Sequence, residues 1–314
     1  MRLKYEVGFQ HCYEMVRPTM QKTVGVIGLG IMGSAMSANL LKADFAVVGY
    51  DVEPKQVELL LSRGGIGADS CREVAEKAEV IITSLPSISA MQEVLHGKNG
   101  LMSTPHSKLV VIETSTFPVE TKQEAYDALQ VVGSELLDCP LSGTGAQAIN
   151  KDLIVFASGD QRTCEECGPV FDGFSRGHYY IGEFGTGSKM KFIANLLVTI
   201  HNVAAAEALV LARKSGLDPA LVLNVISDGA GSSRMLEVRG PMMVAGNYDE
   251  ATMKMDIYQK DISIINAFAS DLQCPTPLMT AASEVYKAGL AQGLAKQDTA
   301  SVCAVLEQMA GISR

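Results

Sequence analysis

Between Lys22 and about Gly182 the chain alternates short apolar runs with longer amphipathic stretches, and that alternation leaves few folds open. The runs TVGVIGL, FAVVGYD, EVIITSL, LVVIETS, SELLDC, LIVFAS and HYYIG have the length and β-branched content of strands. Between several of them, SAMSANLLKA, CREVAEKA, ISAMQEVL and PVETKQEAYDALQVV read as helices. Strands alternating with helices of this length predict a mainly parallel sheet covered on both faces. After Gly182 the strand signal stops and only helical patterns follow, beginning with a long segment from Ser188 to Ser215. A chain of 314 residues also exceeds what one core usually organises. Two domains are expected, an α/β one over 21–183 and an all-helical one over 184–314. Residues 1–20 lack the uninterrupted apolar core of a signal peptide and are expected to form a disordered extension.

The first strand runs into Gly28, Gly30 and Gly33, in G-x-G-x-x-G spacing, and a helix follows. The next strand ends at Asp51, about 20 residues on. That context predicts a Rossmann-type, doubly wound domain that binds a dinucleotide. Gly28 permits the turn, Gly30 lets a pyrophosphate approach the backbone, and Gly33 lets helix and strand pack. Leu29, Ile31 and Met32 complete the phosphate turn, whose helix N-terminus offers free N–H groups. The Asp51 carboxylate suits a ribose 2′-hydroxyl and repels a 2′-phosphate, so NAD is expected over NADP, with Lys55 as the one nearby positive charge.

Composition excludes several other roles. Net charge is −9 and no lysine- or arginine-rich run exists, so the footprint of a nucleic-acid binder is missing. Seven scattered cysteines read as reduced thiols in a cytoplasmic protein. Cys164 and Cys167 have CxxC spacing, but no second pair completes a tetrahedral set, and no metal site is expected. The apolar run from Phe192 to Leu211 is interrupted by Asn195, His201, Asn202 and Glu207. A helix buried between domains or subunits suits it better than a membrane span.

That helix carries an oddity. Lys189 fits a surface position, but Lys191 stands four residues before Asn195, so the two share a face that continues to Val198, Thr199 and Asn202. Spacing alone leaves two readings open: a functional lysine in a partly desolvated place, beside an amide that cannot neutralise it, or a lysine that snorkels to water. A helix start at Ser188 would place Lys191 in the first turn, where desolvation and the helix dipole both lower a lysine pKa.

Four stretches in order together resemble the β-hydroxyacid dehydrogenase family, from Lys22 onward: GLGIMGSAMSANLLKA, DCPLSGTGAQA at 138–148, GTGSKMKFIAN at 185–195, and KDISI at 260–264. The resemblance implies an NAD(P)-dependent oxidoreductase that moves a hydride between nicotinamide and a small anionic β-hydroxy acid, or reduces the matching semialdehyde. It implies that Lys191 is the catalytic acid and base, that Asn195 helps hold substrate, and that Ser142, Gly143 and Thr144 form the substrate loop. Lys260 would lie near the nicotinamide end, and Leu85, Pro86, Ser115 and Thr116 would line the cofactor. It also implies a homodimer or homotetramer. Thr144 in place of a glycine, Cys139 in place of an alanine, and Met253 where some relatives carry an aromatic residue depart from the pattern. An imine reductase-like enzyme and a catalytically silent cofactor-binding scaffold are the rival readings. Retained Lys191 and the anion loop speak against the first, and retained Lys191 and Asn195 against the second.

Overall fold

The computed structural model describes residues 23–103 and 109–313; the extension expected over 1–20 lies outside the described residues. The sheet region runs through β1 (Thr23–Ile27), α1 (Ile31–Lys42), β2 (Ala46–Tyr50), α2 (Pro54–Ser62), β3 (Ile66–Gly67), α3 (Cys71–Lys77), β4 (Val80–Thr83) and α4 (Ile88–His96). It continues with β5 (Val110–Glu113), α5 (Val119–Val131), β6 (Glu135–Asp138), β7 (Leu141–Ser142), α6 (Gly145–Ile149), β8 (Ile154–Ser158), α7 (Gln161–Glu166), α8 (Gly168–Phe174) and β9 (Gly177–Gly182). The helical region comprises α9 (Thr186–Lys214), α10 (Pro219–Ser227), α11 (Arg234–Ala245), α12 (Met255–Asp271), α13 (Pro277–Ala291) and α14 (Val302–Met309).

The strands pair in the order β3-β2-β1-β4-β5-β6-β8-β7, with β9 beside β8. From β3 to β6 every pairing is parallel, with Ile27 opposite Tyr50 on one side and Thr83 on the other. β8 turns antiparallel to β6 and β7. Side chains alternate across the sheet as the pleat demands. Val24, Val26, Val80 and Ile82 enter a core with Leu40, Phe171 and Phe174, while Ile27, Ile81 and Val111 enter the opposite core with Val74, Met91, Phe117 and Leu129. Both faces are therefore dry, which is why these strands read as continuous apolar runs. Helices start where short polar side chains cap them: the Ser70 and Ser87 hydroxyls accept from the N–H groups of Glu73 and Ala90.

In the helical region α9 is the axis, and α10 to α14 pack around it. Its 29 residues span about 43 Å. Length and composition would let it cross a bilayer, but Phe192, Val203, Ala206 and Leu209 are buried against Tyr258, Ile262 and Tyr286. Asn202 is buried too, its amide donating to the Tyr286 hydroxyl at 2.8 Å and to the Thr299 carbonyl at 2.9 Å. Each large apolar side chain buried this way contributes about 2 kcal/mol.

Two differences from the sequence reading matter for function. First, α9 begins at Thr186, two residues earlier than expected, so Lys191 falls in the second turn. The dipole contribution expected for it fades beyond the first turn. Second, Ser142 belongs to a strand, β7, paired with Ile154 of β8. The Ser142 backbone is thus held in the sheet before the loop begins.

Candidate active site

Apart from Lys260, which lies on α12, the expected cofactor residues sit at or just past the carboxyl ends of β1, β2, β4 and β5, where open α/β sheets take ligands. After β1 the chain turns at Gly28, with φ +87°. A Cβ on Gly33 would stand 1.8 Å from the Gly28 carbonyl oxygen, so α1 packs directly on the turn. Around a Cβ on Gly30, by contrast, nothing lies within 4 Å among the described residues, and Gly30 leads α1 without a side-chain cap. Open space facing uncapped N–H groups is what a pyrophosphate needs. The residues present therefore fit a dinucleotide.

Asp51 closes this end. Its carboxylate accepts from the N–H of Leu29 at 2.6 Å and of Glu53 at 2.8 Å. That fixes the carboxylate while leaving lone pairs free for a ribose. Leu29 contributes only backbone here, because its side chain is buried in the core; Ile31 is exposed and Met32 half-buried. At the ends of β4 and β5 a second network forms. The Ser115 hydroxyl accepts from the Leu85 N–H at 2.8 Å. Buried Glu113 accepts from the Thr83 hydroxyl and the Ser115 N–H. Glu113 thus ties together the two loops that carry Leu85, Pro86, Ser115 and Thr116. It carries no motif of its own, and the sequence reading missed it.

Lys260, on α12, reaches across to this network. Its ammonium donates to the Thr116 carbonyl at 2.7 Å and lies 4.9 Å from the centre of the Phe117 ring. The next residue, Asp261, is buried and accepts from the Asn195 amide at 3.0 Å, with the Lys260 ammonium 3.7 Å away. Lys191 shares their electrostatic environment. Desolvation lowers its pKa from the ordinary lysine value; the Asp261 carboxylate opposes that shift and the Lys260 ammonium reinforces it. The Asp261 pKa is raised by burial, and Lys260 and Lys191 hold it back. Lysine 260 itself is lowered by desolvation against the pull of Asp261 and Glu113.

One expectation needs correcting here. Lys191 stands not only beside a neutral amide but near a buried carboxylate, to which that amide is bonded. Asp261 lies in the KDISI stretch next to Lys260, where the sequence reading gave it no role of its own. Only the packing of α12 on α9 buries it.

On the substrate side, α9 packs against β6, β7 and β8, which brings the Lys191 helix beside the strand of Ser142. Gly143 takes φ +139°, a conformation that L side chains rarely adopt. Thr144 is the N-cap of α6, in a reciprocal capping box with Gln147. Its hydroxyl is committed to the helix. Gln147 in turn donates to Asp152 at 3.1 Å, which stiffens the loop from behind.

Comparison with known proteins accounts for this combination. Residues 23–182 match the family model described as the NAD binding domain of 6-phosphogluconate dehydrogenase. Residues 185–306 match the one described as the NAD-binding region of NADP-dependent 3-hydroxyisobutyrate dehydrogenase. The chain belongs to the β-hydroxyacid dehydrogenase family. As a β-hydroxyacid dehydrogenase it is an NAD(P)-dependent oxidoreductase acting on CH–OH. Among its relatives, glyoxylate/succinic semialdehyde reductase 1 of Arabidopsis thaliana is 33% identical over 279 residues, covering 89% of this chain and 96% of the relative. The 2-hydroxy-3-oxopropionate reductase of Escherichia coli is 31% identical, covering 91% and 98%. A solved 3-hydroxyisobutyrate dehydrogenase from Salmonella typhimurium superposes with a TM-score of 0.82 at 30% identity, covering 90% of this chain and 99% of that one.

The departures from the β-hydroxyacid dehydrogenase pattern now have physical settings. Cys139 is fully buried in the sheet core, where desolvation pushes its thiol far up, so it packs as a small apolar residue. Cys167 is buried too, its thiol pushed up to about 12 by desolvation. Met253 packs, half-buried, against the helical core.

Proposed function

We propose that the protein interconverts a small β-hydroxy acid and its semialdehyde, using NAD, with Lys191 as the group that takes or supplies the hydroxyl proton. The observation that carries this reading is the cluster of Lys191, Asn195, Lys260 and Asp261, reaching the cofactor loops through the bond from Lys260 to Thr116. The nicotinamide supplies or accepts the hydride. Everything else falls to side chains and backbone of this chain.

An ordinary lysine, with pKa about 10.4, holds its proton too firmly to act as a base near neutrality. Desolvation lowers that barrier at Lys191, and Lys260 helps. Asp261 keeps the protonated form accessible, so the same side chain serves as base in alcohol oxidation and acid in carbonyl reduction. The Asn195 amide, held by Asp261, is fixed in one orientation and presents the rest of its polar surface to substrate. Ser142 and Gly143 hold the substrate carboxylate, and a loop stiffened by the Thr144–Gln147 cap makes that hold exact in position. Gly28, Gly30, Gly33 and Asp51 would hold the cofactor, and the fixed Asp51 carboxylate favours NAD by repelling a 2′-phosphate. We place the division between cofactor and helical domains at 183/184, in the turn between β9 and α9.

We also infer a homo-oligomer. α10 has the sequence PALVLNVIS and packs only one face on the helical core, through half-buried Val222, Leu223 and Ile226. Leu221 and Val225 on it, and Ile193, Leu197 and Leu211 on α9, are exposed. A second copy of the chain is the natural cover for so much apolar surface.

The test is NADH or NADPH formation against a panel of short β-hydroxy acids, with wild type and Asp51→Ser. Wild type should oxidise one acid preferentially with NAD, and Asp51→Ser should narrow the gap between NAD and NADP at least ten-fold. Silence across the panel despite tight NADH binding contradicts the reaction assigned, and an unchanged preference in Asp51→Ser contradicts the role of Asp51.

A further inference from the structure

The helix that carries Lys191 has no cap of its own. Its N-cap is Gly185, at φ +87°, with no side chain to offer. The first-turn N–H groups, which no helix can satisfy internally, are instead met largely from the sheet region. The Gly187 N–H donates to the Ser158 hydroxyl at 2.9 Å, and the Ser188 N–H to the Asp138 carboxylate at 2.7 Å. The Ser188 hydroxyl adds a bond to the other Asp138 oxygen at 2.8 Å. Ser158 in turn donates to the Asp138 carbonyl at 2.9 Å.

Asp138 ends β6 and is completely buried, as is Lys122 of α5, whose ammonium lies 2.7 Å from the same carboxylate. A buried carboxylate survives only when it is paired and hydrogen-bonded. Lys122 supplies the charge and Ser188 and Ser158 supply the bonds. The approach is also close. A Cβ on Gly187 would stand 2.4 Å from the Phe156 carbonyl oxygen and 2.6 Å from that of Asp138, so α9 enters in direct contact with the backbones of β6 and β8. Lys191 stands three residues beyond Ser188, on the same face one turn along.

We propose that Asp138, with Lys122 as its counter-charge, is a positioning residue for the reaction: it caps α9 from the sheet region and so sets where Lys191 stands relative to the cofactor loops. The assignment rests on the reading of Lys191 as the proton-transfer group. It also explains why a charged pair occupies a fully dry site. An apolar pair could fill the same volume, but only a carboxylate accepts both Ser188 donors at the positive end of the helix.

The decisive variant is the double Lys122→Met/Asp138→Leu, because apolar replacement of both members of a buried pair usually preserves folding. Turnover is scored per NADH-binding site, so that a loss of folded protein does not count. A displacement of reacting groups by 1 Å costs about 100-fold. The double variant should lose turnover on that scale, with the KM for the hydroxy acid and the Kd for NADH within about two-fold of wild type and a larger solvent deuterium isotope effect on kcat. A merely structural role would move the amount of folded enzyme and neither kcat nor the isotope effect. Ser188→Ala, which removes one donor and leaves the backbone intact, should lose several-fold in kcat with the same split; if the double variant fails to fold, this one decides. Wild-type turnover per site in the deciding variant overturns the proposal. Lys191→Ala, assayed beside them, separates the two ideas. Turnover retained there removes the reading of Lys191 and the clamp with it, whereas an inactive Lys191→Ala beside a full-speed clamp variant overturns the clamp alone.

Discussion

Two glycines three and six residues past the end of β1, Gly30 and Gly33, should respond very differently to the same methyl group. A Cβ at Gly33 would lie 1.8 Å from the Gly28 carbonyl oxygen and 2.9 Å from its carbonyl carbon. Ordinary carbon–oxygen contacts begin above about 3 Å, so α1 would have to withdraw from the turn by more than about 1 Å, with an overpacking cost of about 3 kcal/mol. At Gly30 the methyl meets nothing within 4 Å among the described residues, and φ is −62°, which alanine adopts freely. The stability change there should stay within about 1 kcal/mol. Under the proposed function that space would take the pyrophosphate. Filling it should cost one or two charge-assisted hydrogen bonds, each about 1.5 to 3 kcal/mol, or at least about 10-fold in Kd. Gly30→Ala should therefore melt within about 4 °C of wild type yet bind NADH at least about 10-fold more weakly, whereas Gly33→Ala should lose both stability and binding. NADH fluorescence titration and a thermal melt read both quantities. Unchanged NADH affinity in a well-folded Gly30→Ala would refute the placement of the cofactor.

Other predictions follow from single residues. Alcohol oxidation needs neutral Lys191, so kcat/KM should rise with pH through the Lys191 pKa; Asp261 holds that pKa up, and Asp261→Asn, which can still accept from Asn195, should move the rise to lower pH. A shift to higher pH, or none, would show that Asp261 does not face Lys191 in the working enzyme. Placing charges on the uncovered face of α10, as Leu221→Glu with Val225→Glu, should reduce the molar mass measured by light scattering while leaving the melting temperature of the separated subunit little changed. An unaltered mass would mean that the second copy docks elsewhere.

The parts of the fold that could be read from sequence are those in which one short segment carries a complete signal. β1, β2, β4, β5 and β8 are largely buried on both faces and read as apolar runs, and the turn at Gly28 to Gly33 has its own glycine code. What escaped was set by partners distant in sequence. β7 has two residues, too few for any periodicity, and exists because Leu141 and Ser142 find β8. α11 holds Gly240 and Pro241 in its interior, which local propensity reads as a break, yet packing against α9 and α10 keeps it helical. The true start of α9 was hidden because its cap is Asp138, 50 residues away. In the site, Lys191 and Asn195 stood out because a polar pair at helical spacing is conspicuous in an apolar segment. Asp261 and Glu113 did not, because an acid beside a lysine or at a strand end looks solvated until the fold buries it.

The central claim is that Lys191 moves the proton. It is tested most directly by NADH formation at 340 nm with saturating NAD and the hydroxy acid that wild type prefers, comparing wild type with Lys191→Ala at matched concentrations of NADH-binding sites. The account predicts a fall in kcat of about 100- to 10,000-fold, with the Kd for NADH within about two-fold of wild type. Equal turnover in the two proteins would contradict it.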